Sequence, residues 1–213
     1  MPAQPTLATM RTALLSDCLD EAGRRDQVLH ASVRALRPGM RCAGAAATVQ
    51  FAPTTQSGPE PYDAMIDFLS GLAVGTVAVV ASGWNRSAYW GELFSAAALG
   101  RGVAAVVCDG PLRDSEQIEA LGFPAFCSGT RPIDYRARMR IVAVNEPVDC
   151  AGVLVTPGDL VAGDSDGVVV VPVEVEAAVL AAAAERASKE SSVRAELLAG
   201  ATLRHVWDTH RIL

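Results

Sequence analysis

Residues 76–127 read TVAVVASGWNRSAYWGELFSAAALGRGVAAVVCDGPLRDSEQIEALGFPAFC, and short apolar runs alternate here with segments typical of helices. The pattern predicts, in chain order, strand 76–81, helix 92–99, strand 103–108, helix 115–121 and strand 124–127. Uninterrupted apolar runs indicate parallel strands covered on both faces and joined by right-handed crossovers. The loops that leave the strand ends then gather along one edge, where α/β proteins bind ligands.

The sequence on either side of this unit predicts further elements. Upstream lie an amphipathic helix over 6–23, a turn and strand within 36–51, a loop at 54–61 and a short helix over 62–70. After Arg140, valine-rich runs separated by Pro-Gly-Asp and Asp-Ser-Asp-Gly turns predict closely spaced strands. An alanine-rich helix over 174–198 follows. We expect one domain spanning residues 1–213.

The composition excludes several classes of protein. With 50% hydrophobic residues in 213, the chain can bury a sizeable core, and the net charge of -6 argues against a nucleic-acid partner. The N-terminus lacks the features of a signal peptide, and the nearly uncharged run 68–84 is too short to span a membrane. Five scattered cysteines without a C-x-x-C pair predict reduced, buried thiols. We therefore expect a cytoplasmic protein.

Three groups in the opening stretch could carry chemistry. The start of the helix at residues 91–94 offers unpaired N–H groups that suit a carboxylate or a phosphate. Arg113 can bind a carboxylate through two parallel hydrogen bonds. Asp114 is an oxygen ligand suited to Mg²⁺ or Mn²⁺, and Glu92 and Asp109 are close enough in topology to hold metal-bound water.

Each of these groups also has a purely structural explanation. Glu92 is favourable in a first helical turn, Asp114 could be the N-cap of the next helix, and Arg113 could pair with Asp109 or Asp114. The residues alone leave these alternatives open. The three histidines, at positions 30, 205 and 210, are too scattered to indicate a histidine metal site or a serine triad.

Glu92, twenty intervening residues and then Arg113-Asp114 resemble the acidic-x20-Arg-Asp signature of the RraA-like family. This family comprises the regulators of ribonuclease activity A and the 4-hydroxy-4-methyl-2-oxoglutarate aldolases. Four further blocks are similar to family blocks and follow in family order: LSDCLDEAG (15–23), RPGMRCAGAAATV (37–49), VVCDGPLRDSEQIEALGFPAF (106–126) and VTPGDLVAGDSDGVVVVP (155–172). The resemblance covers nearly the whole chain.

The resemblance implies an α/β fold of the swivelling β/β/α type, with central parallel β-α-β units, a β-rich C-terminal half and a C-terminal helix. It implies trimers or hexamers with active sites at subunit boundaries. The implied activity is a Mg²⁺- or Mn²⁺-dependent aldolase that cleaves 4-hydroxy-2-oxo acids, such as 4-hydroxy-4-methyl-2-oxoglutarate, to pyruvate and a second oxo acid, with oxaloacetate decarboxylation. The alternative is a non-catalytic regulator that binds a ribonuclease or a helicase.

The resemblance also implies roles for individual residues. The backbone of Gly91, Glu92, Leu93 and Phe94 would hold the pyruvoyl carboxylate, Arg113 would bind substrate, and Asp114 would ligate the metal directly. Glu92 stands where the family commonly has aspartate and would contact the metal through water. Glu190 of a neighbouring subunit would contact the same metal, also through water. The base for the 4-hydroxyl proton stays open between Glu92 and a hydroxide. A Schiff-base lysine is not needed, and the one lysine, Lys189, lies far from the signature.

Overall fold

The structure is a computed structural model that describes residues 10–56, 61–83 and 86–212. The helices are α1 (Thr12–Glu21), α2 (Asp63–Gly71), α3 (Glu92–Gly100), α4 (Ser115–Leu121), α5 (Glu176–Leu198) and α6 (Leu203–His210). The strands are β1 (Arg34–Ala35), β2 (Cys42–Pro53), β3 (Val77–Ala81), β4 (Ala105–Cys108), β5 (Ala125–Cys127), β6 (Met139–Val144), β7 (Val148–Cys150), β8 (Val153–Val155), β9 (Leu160–Asp164) and β10 (Gly167–Val171).

Four parallel strands form the centre of the fold, in the order β2-β3-β4-β5. Every residue of β3, β4 and β5 is buried, as their apolar sequences predict for strands covered on both faces. Helices α3 and α4 connect β3 to β4 and β4 to β5. The predicted β-α-β unit is therefore confirmed.

The sheet continues past this unit until its two ends meet. The first part of β2 pairs antiparallel with β9, which pairs with β10, while the last part of β2 pairs with β6. At the other end of the sheet, β1 pairs with β5. Arg34 Nη1, in β1, donates a 2.5 Å hydrogen bond to the Asp166 carbonyl just before β10. The result is a nearly closed sheet of mixed parallel and antiparallel strands.

Two helices from the ends of the described chain cover the β9–β10 part of this sheet. Leu15 and Leu19 of α1 pack with Val179 and Ala183 of α5 over buried side chains that include Val169. This arrangement gives the chain a mixed α/β fold with a long helix near its C-terminus, as expected.

Several sequence-based predictions differ from the structure in detail. The first helix begins at Thr12 rather than at residue 6, and residues 6–9 of its predicted span lie outside the described residues. Residues 57–60 of the predicted loop 54–61 also lie outside them, as do 84–85 of the loop after β3. Helix α6 was not predicted. Strand β4 begins at Ala105 rather than at residue 103.

The prediction of reduced, buried thiols is confirmed, since all five cysteines are free and buried. Burial raises the pKa of the Cys42 thiol to about 12 and that of Cys108 well above the usual value, so neither forms a reactive thiolate near neutral pH. No helix in the described part of the chain has the length and apolarity required to cross a membrane.

Candidate active site

A cavity of about 420 Å³ opens at the carboxyl edge of the parallel strands. Its lining comes from the segments that follow β2, β3, β4 and β5, so all four parallel strands contribute to it. We call it the edge cavity. It is lined by Tyr62, Ile66, Ala88, Tyr89, Trp90, Gly91, Glu92, Leu93, Phe94, Arg113, Asp114, Asp134 and Tyr135. The position is the one that the strand-edge argument predicts for a ligand site.

Helix α3 begins at this cavity, and two side-chain hydrogen bonds fix its first turn. Trp90 is buried and donates from Nε1 to Ser95 Oγ at 2.9 Å, and the Ser95 hydroxyl donates to the Gly91 carbonyl at 3.0 Å. Among the described residues, the N–H groups of Leu93 and Phe94 have no hydrogen-bond acceptor. These two donors, at the positive end of the helix dipole, remain able to bind an anion.

Asp114 does not act as a side-chain cap for the helix that follows it. It occupies the residue before α4 in a left-handed conformation, with φ 57° and ψ 41°, and makes no side-chain cap hydrogen bond there. Its Oδ2 instead accepts a 3.2 Å hydrogen bond from the N–H of Glu92, at the start of α3. A left-handed aspartate is uncommon, and such strain is concentrated at functional sites.

Gly91 leaves the space in which these two loops meet. A Cβ atom at position 91 would lie 2.6 Å from Asp114 Oδ2 and 3.1 Å from Arg113 Cγ, both shorter than ordinary contact distances. The absence of a side chain therefore allows the Arg113-Asp114 pair to lie directly against the start of α3. Glu92 lines the same cavity and is half-buried.

Arg113 is held by a carboxylate that the sequence analysis missed. Its Nη1 donates to Asp134 Oδ2 at 2.7 Å, while its Nε lies 3.6 Å from Asp114 Oδ2. The Tyr62 hydroxyl donates to the same Asp134 oxygen at 2.9 Å. Burial, and secondly this hydrogen bond to Asp134, raise the pKa of Tyr62, so its hydroxyl remains a donor at neutral pH.

Asp109 is excluded from this cluster, contrary to the expectation that it could hold metal-bound water or pair with Arg113. Its Oδ1 accepts hydrogen bonds from the N–H of Ser82 at 2.7 Å and from the Ser82 hydroxyl at 2.6 Å. Its Oδ2 accepts from the N–H of Gly83 at 3.1 Å. These bonds turn the carboxylate toward the loop after β3, and Asp109 does not line the edge cavity.

Glu190 lies on α5, in a second cavity lined also by Arg11 and Asp17. It pairs there with Arg11 and, at 3.4 Å, with Arg186. Within one chain it is therefore not grouped with Glu92 and Asp114. The expectation that Glu190 contacts the metal from a neighbouring subunit stays a prediction.

Asp114 is the carboxylate of the edge cavity whose chemistry bears on the binding of a divalent cation. Among the described residues, no group of three or more His, Cys, Asp or Glu side chains could hold a metal ion. Asp114 is nevertheless 41% exposed at its side chain, and only its Oδ2 has a hydrogen-bond partner among the described residues. Mg²⁺ commonly binds through one or two carboxylates plus water and substrate oxygens, so these residues fit Mg²⁺ or Mn²⁺ better than Zn²⁺.

The chain belongs to the RraA-like family, because the family model described as Aldolase/RraA matches residues 12–170. A Halalkalibacterium halodurans protein named putative 4-hydroxy-4-methyl-2-oxoglutarate aldolase is 35% identical over 165 residues, covering 77% of this chain and 73% of that protein. An uncharacterized Methanocaldococcus jannaschii protein is 39% identical over 128 residues, which cover 60% of this chain and 61% of that protein. The matched segment thus spans about three fifths of the Methanocaldococcus relative.

A solved structure adds a relative of another kind. Streptomyces coelicolor RraAS2, described as an unusual member of the RNase ES inhibitor RraA protein family, is 32% identical and has a TM-score of 0.79. The match covers 88% of this chain and 93% of that one. Relatives of this chain therefore include a protein named as an aldolase and a member of a family named for inhibiting a ribonuclease.

Proposed function

We propose that the chain is a divalent-metal-dependent carbon–carbon lyase that cleaves 4-hydroxy-2-oxo acids to pyruvate and a second carbonyl compound. Decarboxylation of oxaloacetate is the accompanying activity, and 4-hydroxy-4-methyl-2-oxoglutarate belongs to the substrate class. The observation that carries the proposal is the meeting of Asp114, Arg113 and the start of α3 in one cavity, with Gly91 as the residue that allows it. The similarity to the Halalkalibacterium protein supports it.

Substrate and metal ion are assigned to different residues of the edge cavity. In the proposal, the N–H groups of Leu93 and Phe94 and the guanidinium of Arg113 bind the substrate carboxylate and keto group. Asp114 would hold Mg²⁺ or Mn²⁺ directly, and Glu92 would contact the ion through water. The bound cation would supply Lewis-acid polarisation of the keto group.

Cleavage then requires movement of a proton and of an electron pair. Glu92 accepts the 4-hydroxyl proton, the C3–C4 bond breaks, and C4 becomes the carbonyl carbon of the departing product. The electron pair of that bond stays with the pyruvate fragment, and Arg113 stabilises the negative charge that develops on its keto oxygen. C3 of this fragment then takes up one proton to give pyruvate. In decarboxylation, CO₂ leaves in place of the second carbonyl product.

The assay is pyruvate release from oxaloacetate and from 4-hydroxy-4-methyl-2-oxoglutarate with Mg²⁺ or Mn²⁺, repeated with EDTA. We expect turnover that EDTA abolishes. Asp114→Asn keeps the hydrogen-bond acceptor and tolerates the left-handed backbone but lacks the charge, so we expect it to lower turnover about a hundredfold or more. Mn²⁺ titration followed by electron paramagnetic resonance measures its ion affinity separately. Asp208→Asn, exposed on α6, is the matched control.

A second candidate function rests on the similarity to RraAS2. In this alternative the chain is a non-catalytic regulator that binds a ribonuclease or a helicase. It predicts inhibition of RNA cleavage by a purified RNase E-type enzyme, unchanged by Asp114→Asn, together with no pyruvate release from either substrate. The two candidates thus give opposite results in the same pair of assays.

We further propose a homotrimer or a dimer of trimers in which the partner subunit's Glu190 approaches the edge cavity. Light scattering coupled to size-exclusion chromatography measures the mass, and a monomeric mass with full activity would contradict this arrangement.

A further inference from the structure

The edge cavity is lined by more anionic than cationic side chains. Three carboxylates line it, those of Glu92, Asp114 and Asp134, whereas Arg113 is the one cationic side chain among its described lining residues. Arg113 is itself paired with Asp134 at 2.7 Å. The side chain of Arg136 is exposed and does not line the cavity. Arg113 and the start of α3 can bind one substrate carboxylate. The divalent ion of the proposed function would offset Asp114 and Glu92, so no further cation among the described lining residues is left to bind a second carboxylate.

The remaining lining is mainly aromatic and aliphatic, and its polar side-chain groups are the hydroxyls of three tyrosines and one indole N–H. Tyr62 and Tyr135 meet edge to face, with ring centroids 5.6 Å apart, and Phe94 packs in the same way on Trp90 at 5.7 Å. Two aliphatic side chains of the lining are open to solvent, Ile66 at 50% and Leu93 at 79% exposure. Exposed apolar area in a concave site is typical of a surface that binds an apolar part of a ligand.

We infer that the preferred substrate is a 4-hydroxy-2-oxo acid whose C4 carries an aryl or branched alkyl group in place of a second carboxylate. This inference rests on the function proposed above. For a phenyl substituent the reaction balances as 4-hydroxy-2-oxo-4-phenylbutanoate giving benzaldehyde and pyruvate. The C3–C4 bond breaks, the 4-hydroxyl proton leaves as the benzaldehyde carbonyl forms, and C3 of the pyruvate fragment takes up one proton.

Binding is tested with two matched compounds that lack the 4-hydroxyl group and so cannot be cleaved. These are 2-oxo-4-phenylbutanoate and 2-oxoglutarate, which differ only in a phenyl or a carboxylate group on C4. Titration calorimetry of the full chain with Mg²⁺ should give a Kd about tenfold or more lower for the phenyl compound, because its ring meets apolar lining whereas the second carboxylate of 2-oxoglutarate has no cation to bind. Equal affinities, or tighter binding of 2-oxoglutarate, would overturn the inference.

A cation introduced into the apolar wall should weaken or abolish the preference. Ile66 is half-exposed on α2, so we expect a polar side chain there to cost little core packing. Ile66→Lys should shift the ratio of the two Kd values toward 2-oxoglutarate by about tenfold. Val74→Lys is the matched control, because Val74 is 81% exposed and precedes β3, at the opposite end of the parallel strands. An unchanged ratio in Ile66→Lys would count against the inference.

Turnover separates failure of this inference from failure of the proposed function. Pyruvate release from oxaloacetate tests the lyase alone, and a comparison of kcat/KM for 4-hydroxy-2-oxo-4-phenylbutanoate and 4-hydroxy-4-methyl-2-oxoglutarate tests the preference. If oxaloacetate is decarboxylated but the diacid is cleaved faster than the phenyl substrate, only the preference is wrong. If neither oxaloacetate nor either hydroxy acid is turned over, the proposed function and the inference fall together.

Discussion

At the scale of single residues, the shape of the edge cavity depends on the presence of a glycine, which has no side chain, at position 91. Gly91 has φ -155° and ψ -168°, an extended backbone that any residue can adopt, so glycine is not needed there for its conformational freedom. It is needed because a Cβ would lie 2.6 Å from Asp114 Oδ2. The position is therefore decided by contact with another loop rather than by local backbone preference.

Gly91→Ala should displace the Asp114 carboxylate while leaving the fold intact. A shift of about 1 Å at a reacting group can lower turnover about a hundredfold, and we expect a loss of that size in kcat/KM for oxaloacetate. Gly100→Ala, at the other end of α3, is the matched control, because a Cβ there meets nothing within 4 Å. Activity of Gly91→Ala close to that of the control would show that Asp114 need not keep its position.

Arg113→Lys keeps the positive charge and loses the planar pair of donors. Arg113 bonds to Asp134 and is placed to bind a substrate carboxylate, and a lysine ammonium cannot match both geometries. The loss of one charged hydrogen bond should lower kcat/KM about 10- to 100-fold, mainly through a higher KM. Steady-state kinetics with Arg204→Lys as an exposed control measure the effect, and unaltered kinetics would remove Arg113 from the substrate contacts.

At the scale of secondary-structure elements, the loop after β3 is attached to the end of β4. Asp109 accepts three hydrogen bonds from Ser82 and Gly83, and Gly110 lets the ring of Tyr89 approach, since a Cβ there would lie 2.6 Å from Tyr89 Cε2. Tyr89 and the start of α3 follow this loop directly. The attachment therefore positions the cavity wall without contacting the proposed substrate.

Asp109→Ala should loosen this attachment. Removing the acceptor of three hydrogen bonds should lower the free energy of unfolding by about 2 kcal/mol, seen as a lower urea midpoint. Turnover should fall as well, because the segment that leads into α3 loses its support. Asp149→Ala, which removes a single 2.9 Å bond in the exposed turn before Gly152, is the control and should cost less. Equal urea midpoints would contradict the positioning role of Asp109.

The elements that the sequence predicted well are those with local signals. The apolar runs of β3 and β4, and the helices between the parallel strands, follow from composition and spacing alone. The pairing of β2 with β9, β3 and β6 does not follow from the local sequence, because it depends on strands far away in the chain. Helix α6 is 8 residues long and buries one side chain, Val206, so its apolar signal is short, and it was missed.

The residues of the candidate site were likewise predicted where a local signal exists and missed where it does not. Glu92, Arg113 and Asp114 were found because they flank predicted elements and match a spacing. Asp134 was missed because the segment around it has neither periodicity nor a motif, and Tyr62 was missed because the pattern there predicts only the start of a short helix. One signal was available for Asp134: it follows β5, so the strand-edge rule places it beside the loops that follow β3 and β4.

At the scale of the whole molecule, a buried carboxylate joins the first helix to the nearly closed sheet. Asp164, in the last position of β9, accepts hydrogen bonds from the N–H of Thr12 at 3.0 Å and from its hydroxyl at 2.6 Å. Burial alone would raise the pKa of Asp164. The hydrogen bonds from Thr12 and from the N–H of Asp166 outweigh this effect and hold the pKa below its usual value.

Because the folded pKa of Asp164 lies below the unfolded value of about 3.9, its contribution to stability is present above that pH and is lost as the pH falls through the folded pKa. Asp164→Asn lacks the charge and presents an amide where two acceptors are needed. It should lower the free energy of unfolding by about 1–3 kcal/mol at pH 7.

The difference between wild type and Asp164→Asn should shrink steadily below about pH 4, since the wild-type carboxyl then takes up a proton in the unfolded chain while it stays ionised in the folded chain down to its lower folded pKa. Urea unfolding from pH 7 to pH 3 at one fixed protein concentration measures this difference, with Asp208→Asn on α6 as the exposed control. A difference that stays constant down to pH 3 would mean that the charge of Asp164 does not hold α1 against the sheet, and that the contact stabilises the fold only through packing.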